Sequence, residues 1–338
     1  MSSRVRITAT TLITSALLAG GAGAALAQGG GKGDDAKAGG NTPSASDDRR
    51  PSQTAIQVKG LRGGRLTAGN KVDVVGTLRP FVKGQKVTVL LHRGKKVVER
   101  DTLEVKPKQG AGYGQFSFSK RLIKQGRYSV QAIHHKNASL GGSKDSSRNF
   151  KIRYPDLDPG SSGDVVKTFN ELLARQGYVN DEGSAYDSAT GRAVLAFHKV
   201  NKQDRSENAT SGDFETLAAG RGGYDLEHPE AGKHVETDLS RQVMVLAKGD
   251  EVDEIYTISS GTAATPTVLG KFNFYRKDPG FNSVGMYYSV YFHGGYATHG
   301  YESVPDYPAS HGCLRNPIPD SVHIYNWIDI GDPIYVLR

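Results

Sequence analysis

Between residues 54 and 153, apolar and polar side chains alternate in short runs. Lys71-Val72-Asp73-Val74-Val75-Gly76-Thr77-Leu78 is one such run, and Lys86-Val87-Thr88-Val89-Leu90-Leu91-His92 is another. Residues 114–119 and 126–132 repeat the pattern. A period of two puts one set of side chains on one face of a strand. Glycine-bearing turns separate the runs, at Arg93-Gly94-Lys95 and at Lys108-Gln109-Gly110-Ala111-Gly112.

Short strands at this spacing over about 100 residues predict an immunoglobulin-like β-sandwich. The chain has no Cys…Trp…Cys pattern, so the expectation is of a general sandwich. Over residues 154–222 the period becomes helical. The stretch 164–175 places Val165, Phe169, Leu172 and Leu173 on one face, with Ser162 or Gly163 to cap it and Gly177 to end it. A second helix is predicted over 188–200, and a short third one begins at Ser211, giving a small α-helical bundle. Residues 224–338 return to strands, at 241–246, 254–259, 287–292 and 333–337, with one helix over 320–328 after Pro317 and Pro319. This last part is expected to be mainly β. The fold class is therefore multidomain, as a length of 338 residues also implies.

The N-terminus changes the picture of where the protein acts. Arg4 and Arg6 precede an apolar run from Ile7 to Leu18, and Ala25-Leu26-Ala27 is a small-x-small cleavage site. Residues 1–27 are read as an export signal, too short in their apolar run for the ~20 residues of a membrane span. The protein is expected outside the cytoplasmic membrane, in the cell wall or beyond. Residues 28–53 are rich in Gly, Ser, Ala and Asp and are read as a disordered linker.

Charge is split. Residues 54–153 hold 22 Lys+Arg against 5 Asp+Glu, a net of +17, whereas residues 154–338 hold 15 against 26, a net of −11. The basic domain is expected to face a polyanion, and after export that means anionic wall polymers or lipid headgroups rather than nucleic acid. An ordinary solvated surface is the alternative reading of the same charge. His134-His135 is read as a polar pair at a strand end.

The chemistry gathers in Ala297-Thr298-His299-Gly300-Tyr301 and Ala309-Ser310-His311-Gly312-Cys313-Leu314-Arg315-Asn316. Cys313 is the only cysteine, so no internal disulfide is open to it. His311 lies two residues before it and His299 fourteen before it. A free thiol has a pKa of about 8.5 and needs a base or a positive field to act as a nucleophile near neutral pH. Histidine titrates nearest that range. Gly300 and Gly312 allow close approach of the backbone, and a tight turn at Gly312-Cys313 aims amides at a developing oxyanion. A buried structural cysteine fits the polar flanks poorly. A zinc site from His293, His299, His311 and Cys313 has an uncommon His-x-Cys spacing. No metal and no cofactor are expected.

His-(14)-Ser-His-Gly-Cys-x-Arg resembles the catalytic signature of L,D-transpeptidases, bacterial cell-wall enzymes with a YkuD-type domain. The resemblance runs through residues 234–242, 259–262 and 265–272 and covers about the last third of the chain. Gly163-Asp164-Val165, Leu172, Gly177-Tyr178 and Thr190-x-x-Ala193-Val194-x-x-Phe197 resemble a peptidoglycan-binding domain, departing from it at His198, where Gln is usual. The implied boundaries are a basic β-sandwich at 54–153, a peptidoglycan-binding-like helical domain at 154–222 and an L,D-transpeptidase catalytic domain at 224–338.

What the resemblance implies is a two-step acyl transfer between peptidoglycan stem peptides. Cys313 would attack the third stem residue, expel the terminal D-Ala and pass the acyl group to an amine, giving a 3→3 cross-link. His299 would be the general base, oriented by the Gly300 carbonyl, with thiolate forming below the free-thiol pH. His311, Gly312 and Cys313 would form the oxyanion loop. Arg315 would hold a stem carboxylate, with a loop-fixing salt bridge as its structural alternative. Ser310, Tyr291, His293 and Tyr296 complete the expected substrate contacts, core packing being the alternative for the last three. The rivals are an L,D-carboxypeptidase that uses water as acceptor and a non-catalytic wall-binding protein.

Overall fold

The computed structural model describes residues 49–338. The expected export signal and most of the expected linker lie outside the described residues. The last linker residues belong to the fold: Arg50 bridges to Leu140, and the Ser52 hydroxyl donates to the Gly141 carbonyl at 2.7 Å and meets His134 Nδ1 at 3.1 Å. His134 is a buried strand end rather than an exposed one.

Residues 53–153 form β1 Gln53–Lys59, β2 Arg65–Thr67, β3 Lys71–Arg79, β4 Lys86–Arg93, β5 Lys96–Glu104, β6 Lys106–Pro107, β7 Gly114–Arg121, β8 Gly126–His134, β9 Ser143–Ser146 and β10 Phe150–Arg153. One sheet has the order β1-β3-β7-β6, the other β2-β10-β8-β4-β5 with β9 added to β8. Alternation explains the inward faces. Val72, Val74 and Leu78 of the first sheet share a core with Val87, Val89, Tyr128 and Val130 of the second. β5 has no buried position, which is why its sequence carries no periodic signal.

Three helices follow, α1 Asp164–Arg175, α2 Ser188–Val200 and α3 Ser211–Ala218. Gly163, not Ser162, is the N-cap of α1, and it caps without a side chain. Asp187 caps α2 through the Thr190 amide, and Thr210 with Asp213 forms a capping box on α3. On α1 the buried side is Val166, Phe169, Leu172 and Leu173, with Val165 only partly buried. His198 is buried, its ring held between the Ser206 carbonyl at 2.8 Å and the Asp213 carboxylate at 3.0 Å.

The C-terminal part has two sheets. β11 Lys233–Asp238, β12 Val243–Lys248, β13 Glu251–Thr257, β14 Gly270–Asn273 and β19 Pro333–Leu337 form the order β13-β12-β11-β19-β14. β15 Arg276–Phe281, β16 Tyr287–His293, β17 Tyr296–Tyr301 and β18 Leu314–Pro317 form the second, in that order. The helix α4 Ile318–Trp327 starts two residues before the sequence-based expectation, because Pro319 is accommodated in a first helical turn. Together with α1–α3 it makes four helices among the described residues, so the protein is mainly β.

The sheet containing β12 is buried on both faces. Met244 and Leu246 pack with Val290, Phe292, Leu314 and Ile324 of the second sheet and α4. Val243, Val245 and Ile255 join Phe169, Leu173, Tyr178 and Phe197 of the helices, and that cluster continues into the sandwich. The helices are thus part of the catalytic sheet's core, and removing 154–222 would strip one face of it.

Polar contacts reinforce this junction. Arg192 of α2 grips the Asp320 carboxylate of α4 at 2.9 and 3.0 Å. Lys199 of α2 is 2% exposed, and its ammonium donates to the Gln242 and Ile258 carbonyls at 3.2 Å each and to the Thr257 hydroxyl. Burial pushes its pKa down to about 7, with Arg205 lowering it further. An unfolded lysine titrates at about 10.4, so between those values the unfolded state binds more protons and stability rises with pH. The melting temperature of the wild type should therefore climb from pH 7 to pH 10, and that of Lys199→Met should not. Equal slopes in the two proteins would refute the assignment.

Candidate active site

The nucleophile loop is held in place before any reactive group is considered. The amides of Ala309 and Ser310 both donate to the Ser260 carbonyl at 2.9 Å, and Thr262 N donates to the Ser310 carbonyl at 3.0 Å. On the far side of the loop, Ser259 and Arg315 exchange two backbone hydrogen bonds of 2.9 Å. The Thr267 hydroxyl donates to the Gly312 carbonyl at 2.8 Å and itself accepts from Gly261 N. Ser260 is fixed in turn by the Gln242 amide, through its own N–H at 2.8 Å and its hydroxyl at 2.7 Å. Gln242 takes a positive φ of 58°, and its carbonyl is one of those bound by Lys199. These residues lie in stretches that carry the resemblance, but their supporting role did not show there, because Ser, Thr and Gln carry no periodic or charge signal.

Gly312 has φ +118°, and a Cβ there would lie 2.6 Å from the Tyr296 ring. Only glycine lets the loop turn while resting on Tyr296. Cys313 follows, half-buried, with its sulfur 3.6 Å from the Gly295 carbonyl in the β16–β17 turn.

His299 lies on β17, which pairs in parallel with β18 so that His299 is opposite Arg315 and Thr298 opposite Leu314. The period of two turns Thr298 inward, where its hydroxyl accepts from Asn316 at 3.0 Å, and leaves His299 on the other face with Arg315. His299 Nδ1 lies 3.0 Å from the Gly300 carbonyl. A carbonyl only accepts, so Nδ1 carries the hydrogen and Nε2 keeps its lone pair. Gly300 is required here, since a Cβ would stand 2.2 Å from the Ser321 hydroxyl oxygen. That hydroxyl holds Asn316 at 2.6 Å and so locks β18 to α4.

The electrostatics favour neutral partners. Burial pushes the His299 imidazole below the ordinary histidine range, and the Arg315 charge adds to this, although the Gly300 carbonyl works against it. Burial pushes the Cys313 thiol up, offset only in part by the Ala297 backbone and Arg315. Burial thus favours a neutral thiol and a neutral imidazole, against the early thiolate expected from sequence.

Arg315 stacks over the Tyr301 ring at 4.2 Å, and Tyr301 in turn meets the His299 ring edge-on at 5.7 Å. It makes no ion pair with a carboxylate among the described residues, so the loop-fixing salt bridge is not what holds it. Tyr291 is opposite Ala297 in the β16–β17 register and so shares the His299 face, with Arg276 stacked on its ring at 3.8 Å. Tyr296 packs beneath Gly312 and serves the loop. His293 is exposed, its ring tilted against Phe272 at 4.8 Å and Tyr296 at 6.1 Å. Ser310, expected to touch substrate, is turned inward: it is 2% exposed, donates to the Cys313 carbonyl at 2.5 Å and accepts from Gly312 N at 3.1 Å. That bond occupies the Gly312 amide, which the oxyanion expectation had left open. The amides of His311 and Cys313 have no partner among the described residues, and the His311 side chain is exposed. No group of three or more His, Cys, Asp or Glu among the described residues is placed to hold a metal ion, so the four-residue zinc alternative does not assemble.

A family model for the L,D-transpeptidase catalytic domain, YkuD, matches residues 232–336. A solved L,D-transpeptidase from Xylanimonas cellulosilytica is similar at 30% identity over 54% of this chain and 97% of that one, with a TM-score of 0.51. An L,D-transpeptidase from Stackebrandtia nassauensis matches at 22% identity over 54% and 94% of the two chains, with a TM-score of 0.35. One from Enterococcus faecium matches at 24% over 31% and 50%, with a TM-score of 0.29, and these two lower scores carry no weight. No curated protein matches the chain. A catalytic-domain match that frames both His299 and Cys313, joined to 30% identity along nearly all of a solved relative, places this chain in the L,D-transpeptidase family.

Proposed function

We propose that the protein is an exported peptidoglycan L,D-transpeptidase that forms 3→3 cross-links through a Cys313 thioester. The observation that carries the reading is the tautomer of His299. Its Nδ1–H is committed to the Gly300 carbonyl, which leaves Nε2 as the only ring nitrogen able to take the thiol proton.

In the first step sulfur adds to the carbonyl of the third stem residue while Nε2 accepts the proton. The tetrahedral oxyanion is met by the His311 and Cys313 amides. Its collapse expels D-Ala, whose nitrogen takes the proton back from His299. In the second step an amine of another stem attacks the thioester, His299 accepts its proton, and the thiol is released. Arg315, freed of ion pairing and oriented by Tyr301, supplies a fork for a stem carboxylate. The domain at 54–153 is read as an immunoglobulin-like sandwich on its strand order, and the three helices as a peptidoglycan-binding-like unit that frames the catalytic sheet.

Incubation with disaccharide-tetrapeptide should yield a cross-linked dimer lacking one D-Ala by mass spectrometry, and Cys313→Ala should yield none. Tripeptide without dimer would assign hydrolysis instead.

Because burial raises the thiol, iodoacetamide labelling of Cys313 should rise only above a pH of about 8.5. His299→Ala should leave that profile nearly in place while lowering turnover by about 10²–10⁴-fold. His311→Ala, with an exposed side chain, should lose less than tenfold. A wild-type labelling curve shifted to acid, and returned by His299→Ala, would restore a resting ion pair.

His299 loses its base form only below its lowered pKa. The acid limb of kcat/KM should therefore lie below about 6.5. An acid limb at or above that value would contradict the buried, neutral imidazole.

A further inference from the structure

The second sandwich sheet carries an unusual row on its outer face. Lys151 of β10 is directly opposite Arg65 of β2 on one side and Arg127 of β8 on the other. All three are exposed, and the alternate positions Leu66, Tyr128 and Ile152 are buried. Arg153, two residues beyond Lys151, shares the same face. Like charges directly opposed on adjacent strands, about 4.8 Å apart, destabilise a sheet. Among the described sandwich residues, ion pairs join Lys120 to Glu99 and Arg121 to Glu171, away from this row. None of Arg65, Arg127, Lys151 and Arg153 forms an ion pair with a carboxylate among the described residues.

Three adjoining clefts open along this row. One of about 300 Å³ is lined by Arg65, Arg127 and Lys151, and one of about 380 Å³ by Arg127, Lys151 and Arg153. They lead into a cleft of about 770 Å³ beside α1, where Arg62, Arg65 and Arg153 converge and Asp73 and Asp164 are the carboxylates. Arg65, Arg127, Lys151 and Arg153 each line more than one of the three clefts.

We propose that this row is a docking groove for a linear phosphate-bearing polymer. A strand of polymer laid across β2, β10 and β8 would meet one cation about every 4.8 Å, a spacing that a chain of anionic repeats can follow. Four of the six cations lining the clefts, Arg62, Arg65, Arg127 and Arg153 against Lys71 and Lys151, are arginines, whose planar fork suits phosphate oxygens. The exposed large apolar residues of the protein, such as Leu269, Phe281 and Val284, lie on other elements, so no apolar anchor accompanies the row into a lipid surface. None of the exposed large aromatic residues belongs to the row either, which leaves bases nothing to stack on. The proposal is independent of the catalytic reading.

The test uses the full chain and long-chain inorganic polyphosphate as probe, followed by fluorescence anisotropy at several salt concentrations. The triple variant R65Q/R127Q/K151Q should bind at least tenfold more weakly, and its slope of log affinity against log salt should fall by about two to three. A control that removes the same charge from the other sheet and its turns, K83Q/K106Q/K108Q, should lose less than threefold. Relief of the opposed charges should leave the triple variant's melting temperature equal or higher, which shows that it folds. Equal losses in the two variants would overturn the groove in favour of diffuse charge. Tighter binding to poly-L-glutamate, binding only to vesicles containing phosphatidylglycerol, or no polyphosphate binding at about 0.15 M salt would each overturn it as well.

Discussion

The position of the Cys313 sulfur depends on a clamp made almost wholly of backbone. The carbonyl of Ser260 receives two amides from the start of the loop, and Ser259 pairs with Arg315 at its end. Between these points the loop has little freedom except at Gly312, whose left-handed turn rests on Tyr296. The clamp has its own foundation. Gln242 holds Ser260, and Lys199 holds the Gln242 carbonyl from another part of the chain. A hydrogen-bond chain therefore runs from α2 to the nucleophile, and each link is short of water, where such bonds are strongest.

Much of this arrangement could be read from residue order, and the failures have physical causes. The alternation of β3 and β8 and the helical period of α1 announce themselves because each has one wet face and one dry face. β5 announces nothing, since both of its faces are wet. β17 and β18, which carry His299 and Arg315, escape notice for a different reason. Two of their inward positions are Thr298 and Asn316, polar residues that satisfy one another, and Leu314 alone makes no apolar period. The motif singled out candidate reactive residues, but the placing of its neighbours depended on direction. Ser310 reads as a hydroxyl beside a nucleophile and proves to be a staple between Gly312 and Cys313. Lys199 carries no distinguishing signal in its helical stretch and proves to be buried. Charge at a distance was equally invisible: burial sets the titration of both His299 and Cys313, and burial is a property of the fold alone.

A sheet with two dry faces also explains why the three helices cannot be regarded as a detachable module. β12 is apolar at every position from Val243 to Ala247, as expected where both sides are covered. Val243 and Val245 look towards the helices and Met244 and Leu246 towards the catalytic core. Any movement of the helical unit that opened this junction would expose apolar surface and break the Arg192–Asp320 grip in the same event. The two parts are therefore expected to move as one body during turnover.

The neutral thiol has a consequence outside catalysis. Peroxides and similar oxidants consume thiolate rather than thiol, and oxidation beyond sulfenic acid is essentially irreversible. A protein with a single cysteine and no second thiol to resolve a sulfenic acid has no internal route of repair. By favouring the protonated sulfur, burial of Cys313 slows oxidation of the resting thiol, at the cost of the fraction present as thiolate.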